Sequence, residues 1–342
     1  MGCCVLKTVY IVDDSETNLL VARDAIKDKY RVATMSSANK LFSLLEKRLP
    51  DLILIDIEMP DLNGFDALEA LKANPAYKNI PVIFLTSASD PDTEVRGFEL
   101  GAVDFISKPF SGPVLINRLK THLKIDELIK DRTSQLESLQ NGLVFVLSDI
   151  IESRDKETGN HIARTSAYLH ILINRMIERG VYADELVGID VDSLIASARL
   201  HDIGKIAISD TILNKPSKLD FEEFEIMKTH CNAGEHIIDQ IYSWTGDIEF
   251  LQYARQFVSA HHERWDGNGY PNSLAGKDIP LLGRIMAIVD VYDALTSVRP
   301  YKDAFEFDVA VEIITNGRGT QFDPNIVDIF LEAKDCFRRV VE

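Results

Sequence analysis

The chain has 342 residues, long enough for two domains with full cores, and its 46% hydrophobic and 27% charged content is ordinary for soluble proteins. A net charge of −17 argues against a nucleic-acid backbone as partner, because such binding needs a concentrated basic face. No apolar run approaches the roughly 20 residues of a membrane span, and the opening Met1-Gly2-Cys3-Cys4-Val5-Leu6-Lys7 lacks the apolar core of a secretory signal, so a cytoplasmic location is expected. The four cysteines, Cys3, Cys4, Cys231 and Cys336, show no zinc-ligand spacing and read as free thiols in a reducing compartment.

From Lys7 to about Leu123, short apolar runs alternate with amphipathic stretches. Val9–Val12, Arg31–Met35, Leu52–Asp56, Val82–Thr86 and Val103–Ile106 read as strands, with helices between and after them. Five such units predict a doubly wound parallel α/β domain with its crevice at the carboxyl ends of the strands. Polar residues fall where that rule puts them: Asp13-Asp14 end the first strand, Asp56 the third and Thr86 the fourth, and Lys108-Pro109 follow the fifth. Three carboxylates at one sheet edge can bind Mg²⁺ through oxygen while one accepts a phosphoryl group. Lys108 would neutralise that group and Thr86 could hydrogen-bond it.

This half resembles a two-component receiver domain along its whole length, and Met59-Pro60-Asp61-Leu62-Asn63-Gly64 is similar to the same family. The resemblance implies Asp13 and Asp14 as the acid pocket, Asp56 as the phosphoacceptor and third Mg²⁺ ligand, Thr86 as the switch hydroxyl, Phe105 as the switch aromatic and Lys108 as the lysine. It also implies a cognate sensor histidine kinase as partner.

Beyond the receiver, Ile125, Ile129, Leu136, Leu139, Leu143, Val146 and Ile150 recur at alternating intervals of four and three, with Arg132 at the missing step. That is the seam of a coiled coil and predicts a parallel homodimer; a helix packed on its own domain is the alternative. Asn141-Gly142 is a weak point and candidate hinge. After Ile150 the chain reads as helical, over Ile162–Arg179, Asp192–Leu200, Asp220–Ile241, Ile248–His262 and Arg284–Leu295, with no alternating run to suggest a second sheet. An all-helical bundle with inward-projecting ligands is expected.

Of the eight histidines, seven lie in this half, and five of them (His161, His201, His230, His261 and His262) form a series interleaved with acidic residues. Taken alone, His201-Asp202 fits a core histidine bonded to a carboxylate better than a ligand pair. Glu157 and His161 stand at i, i+4 and share a helix face, whereas adjacent residues diverge by roughly 100°. The adjacent pairs His201-Asp202 and His261-His262 therefore suit two metal ions better than one, with Asp202 between them. Imidazole and carboxylate ligation without thiolate favours iron, manganese or a catalytic zinc, and paired ions suit phosphoester hydrolysis.

His201-Asp202-Ile203-Gly204-Lys205, His261-His262-Glu263-Arg264-Trp265-Asp266-Gly267-Asn268-Gly269-Tyr270-Pro271, Asp290-Val291-Tyr292-Asp293-Ala294-Leu295 and Arg299-Pro300-Tyr301-Lys302 together resemble the HD-GYP phosphodiesterases from about Glu152 to the C-terminus. One departure is Asn272-Ser273-Leu274, where a glycine often precedes the leucine; it touches only a loop conformation. The resemblance implies metal ligands Glu157, His161, His201, Asp202, His230, His261, His262 and Asp290, with Glu157 deciding between two ions and three and a bridging hydroxide as nucleophile. It implies catalytic roles for Asp202 and Lys205, a grip on the non-reacting phosphate by Arg299 and Lys302, ligand orientation by Tyr270 and Asp293, and a weaker or structural part for Arg164. The cations would make a local positive focus in an acidic protein.

The domains are then a receiver over 1–124, a linker helix over 125–150 and an HD-GYP domain over 151–342. The activity implied is hydrolysis of cyclic di-GMP to pGpG, with pGpG or GMP as the end product, and diguanylate cyclases of the GGDEF type are candidate further partners. Alternatives are a cyclic GMP-AMP phosphodiesterase, a non-catalytic nucleotide or partner receptor, and a general HD-type phosphohydrolase.

Overall fold

A computed structural model describes residues 6–87, 91–154, 161–298 and 303–341. Glu157, Arg299 and Lys302 lie outside the described residues. The chain divides into two compact units, Met1–Leu136 and Glu137–Glu342.

In the first unit the order is β1 (Thr8–Val12), α1 (Glu16–Ile26), β2 (Arg31–Met35), α2 (Ala38–Leu45), β3 (Leu52–Asp56), α3 (Gly64–Ala73), β4 (Val82–Thr86), α4 (Pro91–Glu99) and β5 (Asp104–Ser107), after which α5 (Gly112–Arg154) begins. The sheet is parallel throughout, in the order β2-β1-β3-β4-β5. Every residue of β1, β3 and β4 is buried, which is why these strands read as continuous apolar runs rather than alternations. Alternate side chains feed two cores. Val9, Ile11, Leu52 and Leu54 pack with Ala22 and Ile26 of α1 and Leu115 and Leu119 of α5. On the other face Tyr10, Val12, Ile53 and Ile55 meet Leu41 of α2 and Leu68 of α3. Four strand expectations hold to within one residue, and β5 lies one residue later than expected because pairing carries on through Ser107 opposite Thr86.

α5 is one unbroken helix of 43 residues that runs through Asn141-Gly142. The seven seam residues are 46% to 66% exposed, so the described residues leave the stripe largely uncovered. Val144 and Ile151, off that stripe, are buried in the second unit with Leu200, Ile203 and Val258.

The second unit continues with α6 (His161–Arg179), α7 (Ala183–Leu186), α8 (Val191–Ala198), a 3-10 helix (Ile203–Ala207), α9 (Asp210–Leu213), α10 (Phe221–Lys228), α11 (His230–Thr245), α12 (Glu249–Ala260), α13 (Leu281–Thr296), α14 (Phe307–Asn316) and α15 (Pro324–Val341). No sheet forms among the described residues of this unit. α13 is central: Ile285, Met286, Ile288, Val289 and Tyr292 are fully buried against Tyr168 and Leu172 of α6 and Phe330 and Phe337 of α15. The single helix expected over Asp220–Ile241 is two. Thr229 Oγ1 donates to the Ile226 carbonyl at 2.6 Å and the His230 ring bonds the Met227 carbonyl at 2.8 Å, so side chains take carbonyls that a continuous ladder would use. Among the described residues, no helix is long and apolar enough to cross a membrane.

Candidate metal centre and acid pocket

In the first unit, Asp13, Asp14 and Asp56 bring ligand atoms within 4.8 Å of one another at the carboxyl edge of the sheet. Lys108 reaches across from the end of β5, its Nζ 2.6 Å from Asp13 Oδ2 and 2.8 Å from Asp56 Oδ2. Burial pushes the Asp56 carboxyl up and Lys108 opposes this, which leaves one cation among three acids where a divalent ion fits. Thr86 ends β4 and is buried. Phe105 points inward between Phe84 and Phe98, with ring centroids 5.3 and 5.0 Å away. Only a glycine at position 97 leaves that ring its place, since a Cβ there would sit 2.4 Å from Phe105 Cζ.

The second site is assembled by close backbone packing. α8 ends at Ala198, and the chain tightens through His201 and Asp202 into the 3-10 turn. A Cβ on Gly204 would lie 1.8 Å from the His230 carbonyl oxygen and 2.5 Å from the Gly234 nitrogen, so the absent side chain is what lets this turn lie on α11. The contact delivers Asp202 to His230. Asp202 Oδ1 is 3.4 Å from His230 Nε2 and 3.7 Å from His261 Nε2, while Oδ2 is 3.3 Å from His201 Nε2 and 2.9 Å from Lys205 Nζ. Two ligand-capable groups result, Asp202 with His230, His261 and His262, and Asp202 with His161 and His201, and Asp202 is common to both. Asp290 Oδ1 approaches His161 Nε2 at 3.9 Å.

The donor chemistry fits divalent ions. Nδ1 of His201, His230 and His261 bonds the carbonyl of Ala198, Met227 and Phe257, at 2.9, 2.8 and 2.8 Å, and Nδ1 of His161 bonds Asp293 Oδ2 at 2.7 Å. Each Nε2 lone pair is thereby turned inward, the tautomer that metal-binding histidines take from such outer partners. His161 Nε2, His201 Nε2 and Asp202 Oδ1 are buried without a hydrogen-bond partner. Burial depresses His230 to about 4 and His262 well below the usual imidazole value, so both are neutral. Against its own burial, Asp202 is held far below the carboxylate range by Lys205 and His201. Burial also opposes charge on His161, yet its bond to Asp293 and the nearby Asp290 raise it to about 9, so an ion binding at its Nε2 would have to displace a proton there. Cys231 Sγ lies 3.5 Å from His230 Nε2, but burial pushes its thiol up and keeps it protonated.

A cavity of about 560 Å³ opens beside the acidic and imidazole groups, lined among others by Asp202, Lys205, Lys218, Phe224, Tyr270 and Asp290. Tyr270 lies over His262, ring centroids 4.7 Å apart, with Phe224 at 6.1 Å on its edge. Asp293 must be reassigned. It is buried, with Oδ1 2.6 Å from Arg164 Nε and Oδ2 2.9 Å from the same guanidinium, so it orients His161 and has no face left for a ligand. Arg164 has the matching structural part.

Glu263, Phe224 and Lys218 do not stand out in the sequence. Glu263 is buried directly after the histidine pair and accepts from Asn272 N–H at 2.7 Å and Leu274 N–H at 3.0 Å, which pins the loop that carries Tyr270. Its position next to two candidate ligands was the available signal. The departure at Ser273 has a structural cost, because its φ of 55° is left-handed. A side chain there costs about 1–2 kcal/mol. After the greater unfolded-state freedom of glycine is subtracted, Ser273→Gly should stabilise the unit by about 0.5–1 kcal/mol. Urea unfolding reads this directly, and a midpoint that falls would show the loop is unstrained.

Comparison with known proteins agrees with this division. Residues 9–120 match the response regulator receiver domain, and residues 145–326 match the HD domain, whose members are metal-dependent hydrolases. A probable cyclic di-GMP phosphodiesterase of Vibrio cholerae is 40% identical over 96% of this chain and 78% of its own length. A cyclic di-GMP phosphodiesterase response regulator of Xanthomonas campestris is 33% identical over 95% of this chain and 87% of its own. A 3'3'-cGAMP-specific phosphodiesterase of Vibrio cholerae is 39% identical, but over 57% of this chain and 35% of its own. Because two of these relatives align across both units, the chain belongs to the response regulators that join a receiver domain to an HD domain.

Proposed function

We propose that the second unit is a cyclic di-GMP phosphodiesterase of the HD-GYP type that opens the ring to pGpG; whether it goes on to GMP is read from a separation of the products. The observation that carries this reading is Asp202, shared by two imidazole groups and 2.9 Å from Lys205, at the wall of a cavity of about 560 Å³. His161, His201, Asp202, His230, His261, His262 and Asp290 would hold two ions, iron or manganese in the cell, and Glu157 a third. Ions bound there lower the pKa of water and offset charge on phosphoryl oxygens. Lys205 neutralises charge on the phosphate under attack. Tyr270 and Phe224 offer aromatic faces to a purine, and Arg299 and Lys302 grip the other phosphate. Incubating metal-loaded protein with each cyclic dinucleotide and separating the products tests the substrate. Selective cleavage of cyclic GMP-AMP would establish the second reading, which the 39% identical relative keeps in play. Binding without turnover would point to a receptor.

Arg299→Ala and Lys302→Ala should each weaken cyclic di-GMP binding roughly ten- to hundredfold, the scale of one charge-assisted contact in a dry site, with metal content unchanged. Unaltered titration curves for both would place the phosphate grip elsewhere.

The exposed seam of α5 supports a parallel homodimer as the working form, in the cytoplasm. Its partners would be a histidine kinase acting on Asp56 and cyclases of the GGDEF type. Mg²⁺ would occupy the Asp13, Asp14 and Asp56 pocket. Phosphorylation of Asp56 adds charge that Lys108 and Thr86 can pair, and Phe105 moves in response. The coupling should be about 1–3 kcal/mol, or 5- to 150-fold in activity, with activation the expected sign. A phosphate mimic should change turnover in the wild-type protein and leave Asp56→Asn unaffected. Equal turnover and equal dimerisation with and without the mimic would disconnect receiver from hydrolase.

A further inference from the structure

The last turns of α5 grip the backbone on both sides of the His201-Asp202-Lys205 segment. Ahead of it, Ser148 Oγ donates to the Arg199 carbonyl at 2.9 Å. Behind it, the Arg154 guanidinium donates to two carbonyls, NH1 to Ile206 and NH2 to Ile208, each at 3.0 Å. The grip is returned, because Asn214 Nδ2 donates to the Arg154 carbonyl at 2.8 Å. Between the two clamps, Ile151 is buried against Leu200 and Ile203, the residues that immediately flank His201-Asp202. Glu152 Oε1 accepts from Ile162 N–H at 3.2 Å, which ties the same helix to the start of α6, where His161 stands. Carbonyls at these turns have few intrahelical partners, and a planar guanidinium can take two of them in a fixed geometry that an ammonium cannot.

From this geometry we infer that Arg154, assisted by Ser148, is a positioning residue for Asp202 and Lys205: it sets the 3-10 turn on the framework of the linker helix, so that a displacement of that helix is delivered to the catalytic lysine and the shared carboxylate. The inference rests on the phosphodiesterase reading only for the choice of substrate. Arg154 also pairs with Asp210 at 2.8 Å, but that carboxylate is 71% exposed and its contribution is screened. The part-buried bond to the Ile208 carbonyl therefore carries most of the effect.

The experiment uses the full-length, metal-loaded protein with Arg154→Ala, Arg154→Lys and Asp210→Asn. Metal content, melting temperature, amide hydrogen exchange, and kcat and KM are measured with both bis(p-nitrophenyl) phosphate and cyclic di-GMP. Arg154→Ala should exchange about tenfold faster at Ile203–Ile208, the scale expected for two lost carbonyl bonds, while α15 keeps its protection. Its kcat on both substrates should fall roughly tenfold or more, as for other lost outer partners of a metal site, with KM little changed. Arg154→Lys should fall between, and Asp210→Asn should match wild type. Exchange and kcat equal to wild type in Arg154→Ala overturn the inference, as does a loss spread evenly over the whole bundle. If Arg154→Ala does not fold, Arg154→Lys decides: wild-type exchange and kcat there overturn the inference as well. A wild-type protein inactive on cyclic di-GMP but active on bis(p-nitrophenyl) phosphate would remove the substrate assignment and leave this test standing.

Discussion

Asp202→Ala should leave a folded protein that holds little metal and turns over at least about a thousandfold more slowly, since bound ions supply several kcal/mol of transition-state stabilisation. Among the described residues Asp202 is the one carboxylate common to both imidazole groups, so its loss would remove a candidate ligand from each at once. The fold should survive, because the positions around it are fixed by backbone contacts that alanine does not disturb, Gly204 against the His230 carbonyl foremost. Removing the carboxylate also leaves His230 and His261, whose Nε2 atoms stand 3.4 Å apart, without the anion between them. Elemental analysis together with turnover on the purified variant checks the expectation. Full activity in an Asp202→Ala protein shown to be metal-free would falsify the metal-centre reading.

Lys205→Ala should separate chemistry from metal binding. Its Nζ stands 2.9 Å from Asp202 Oδ2 and also lines the cavity, where it can face a phosphate oxygen without ligating an ion. Loss of such a pre-placed donor costs roughly a hundred- to a thousandfold in kcat. Metal content should stay at the wild-type level, because ammonium is a donor only and cannot coordinate. The contrast with Asp202→Ala is the informative part: one variant loses metal and rate together, the other rate alone. Equal loss of metal in both would mean that Lys205 serves to hold Asp202 in place rather than to meet substrate.

Much of the fold is legible in the sequence for physical reasons. Strands buried on both faces must be continuous apolar runs, and Asp56 and Thr86 stand at their carboxyl ends because a parallel sheet gathers its polar residues there. The candidate ligands are legible through their company: His201-Asp202 alone reads as core, and only the series of His161, His230, His261-His262 and Asp290 around it turns the reading toward a metal site. The division of labour on α13 is not. Asp290 and Asp293 are one turn apart on one helix, and only the tertiary arrangement shows that the first borders the cavity while the second is closed off by Arg164 and His161. The break at Thr229 is hidden for a similar reason, because it depends on side chains that bond carbonyls within a pattern otherwise helical. α15 is a different case: it is absent from the helices expected from the sequence, although Ile326, Phe330, Ala333 and Phe337 carry the helical period openly, with Pro324 at its first position.

The pairing of a rigid floor with an open rim has an evolutionary consequence. Around Asp202 the backbone is so close that even one methyl at Gly204 has nowhere to go, so a substitution there would have to displace α11. Lys218 and Phe224, on the rim of the same cavity, are exposed. Substitutions can accumulate on the rim while hydrolysis is retained. Descendants of one ancestral hydrolase could diverge in which cyclic dinucleotide they accept by a few rim changes, and laboratory selection for altered base preference should find its variants at those positions and not on the floor.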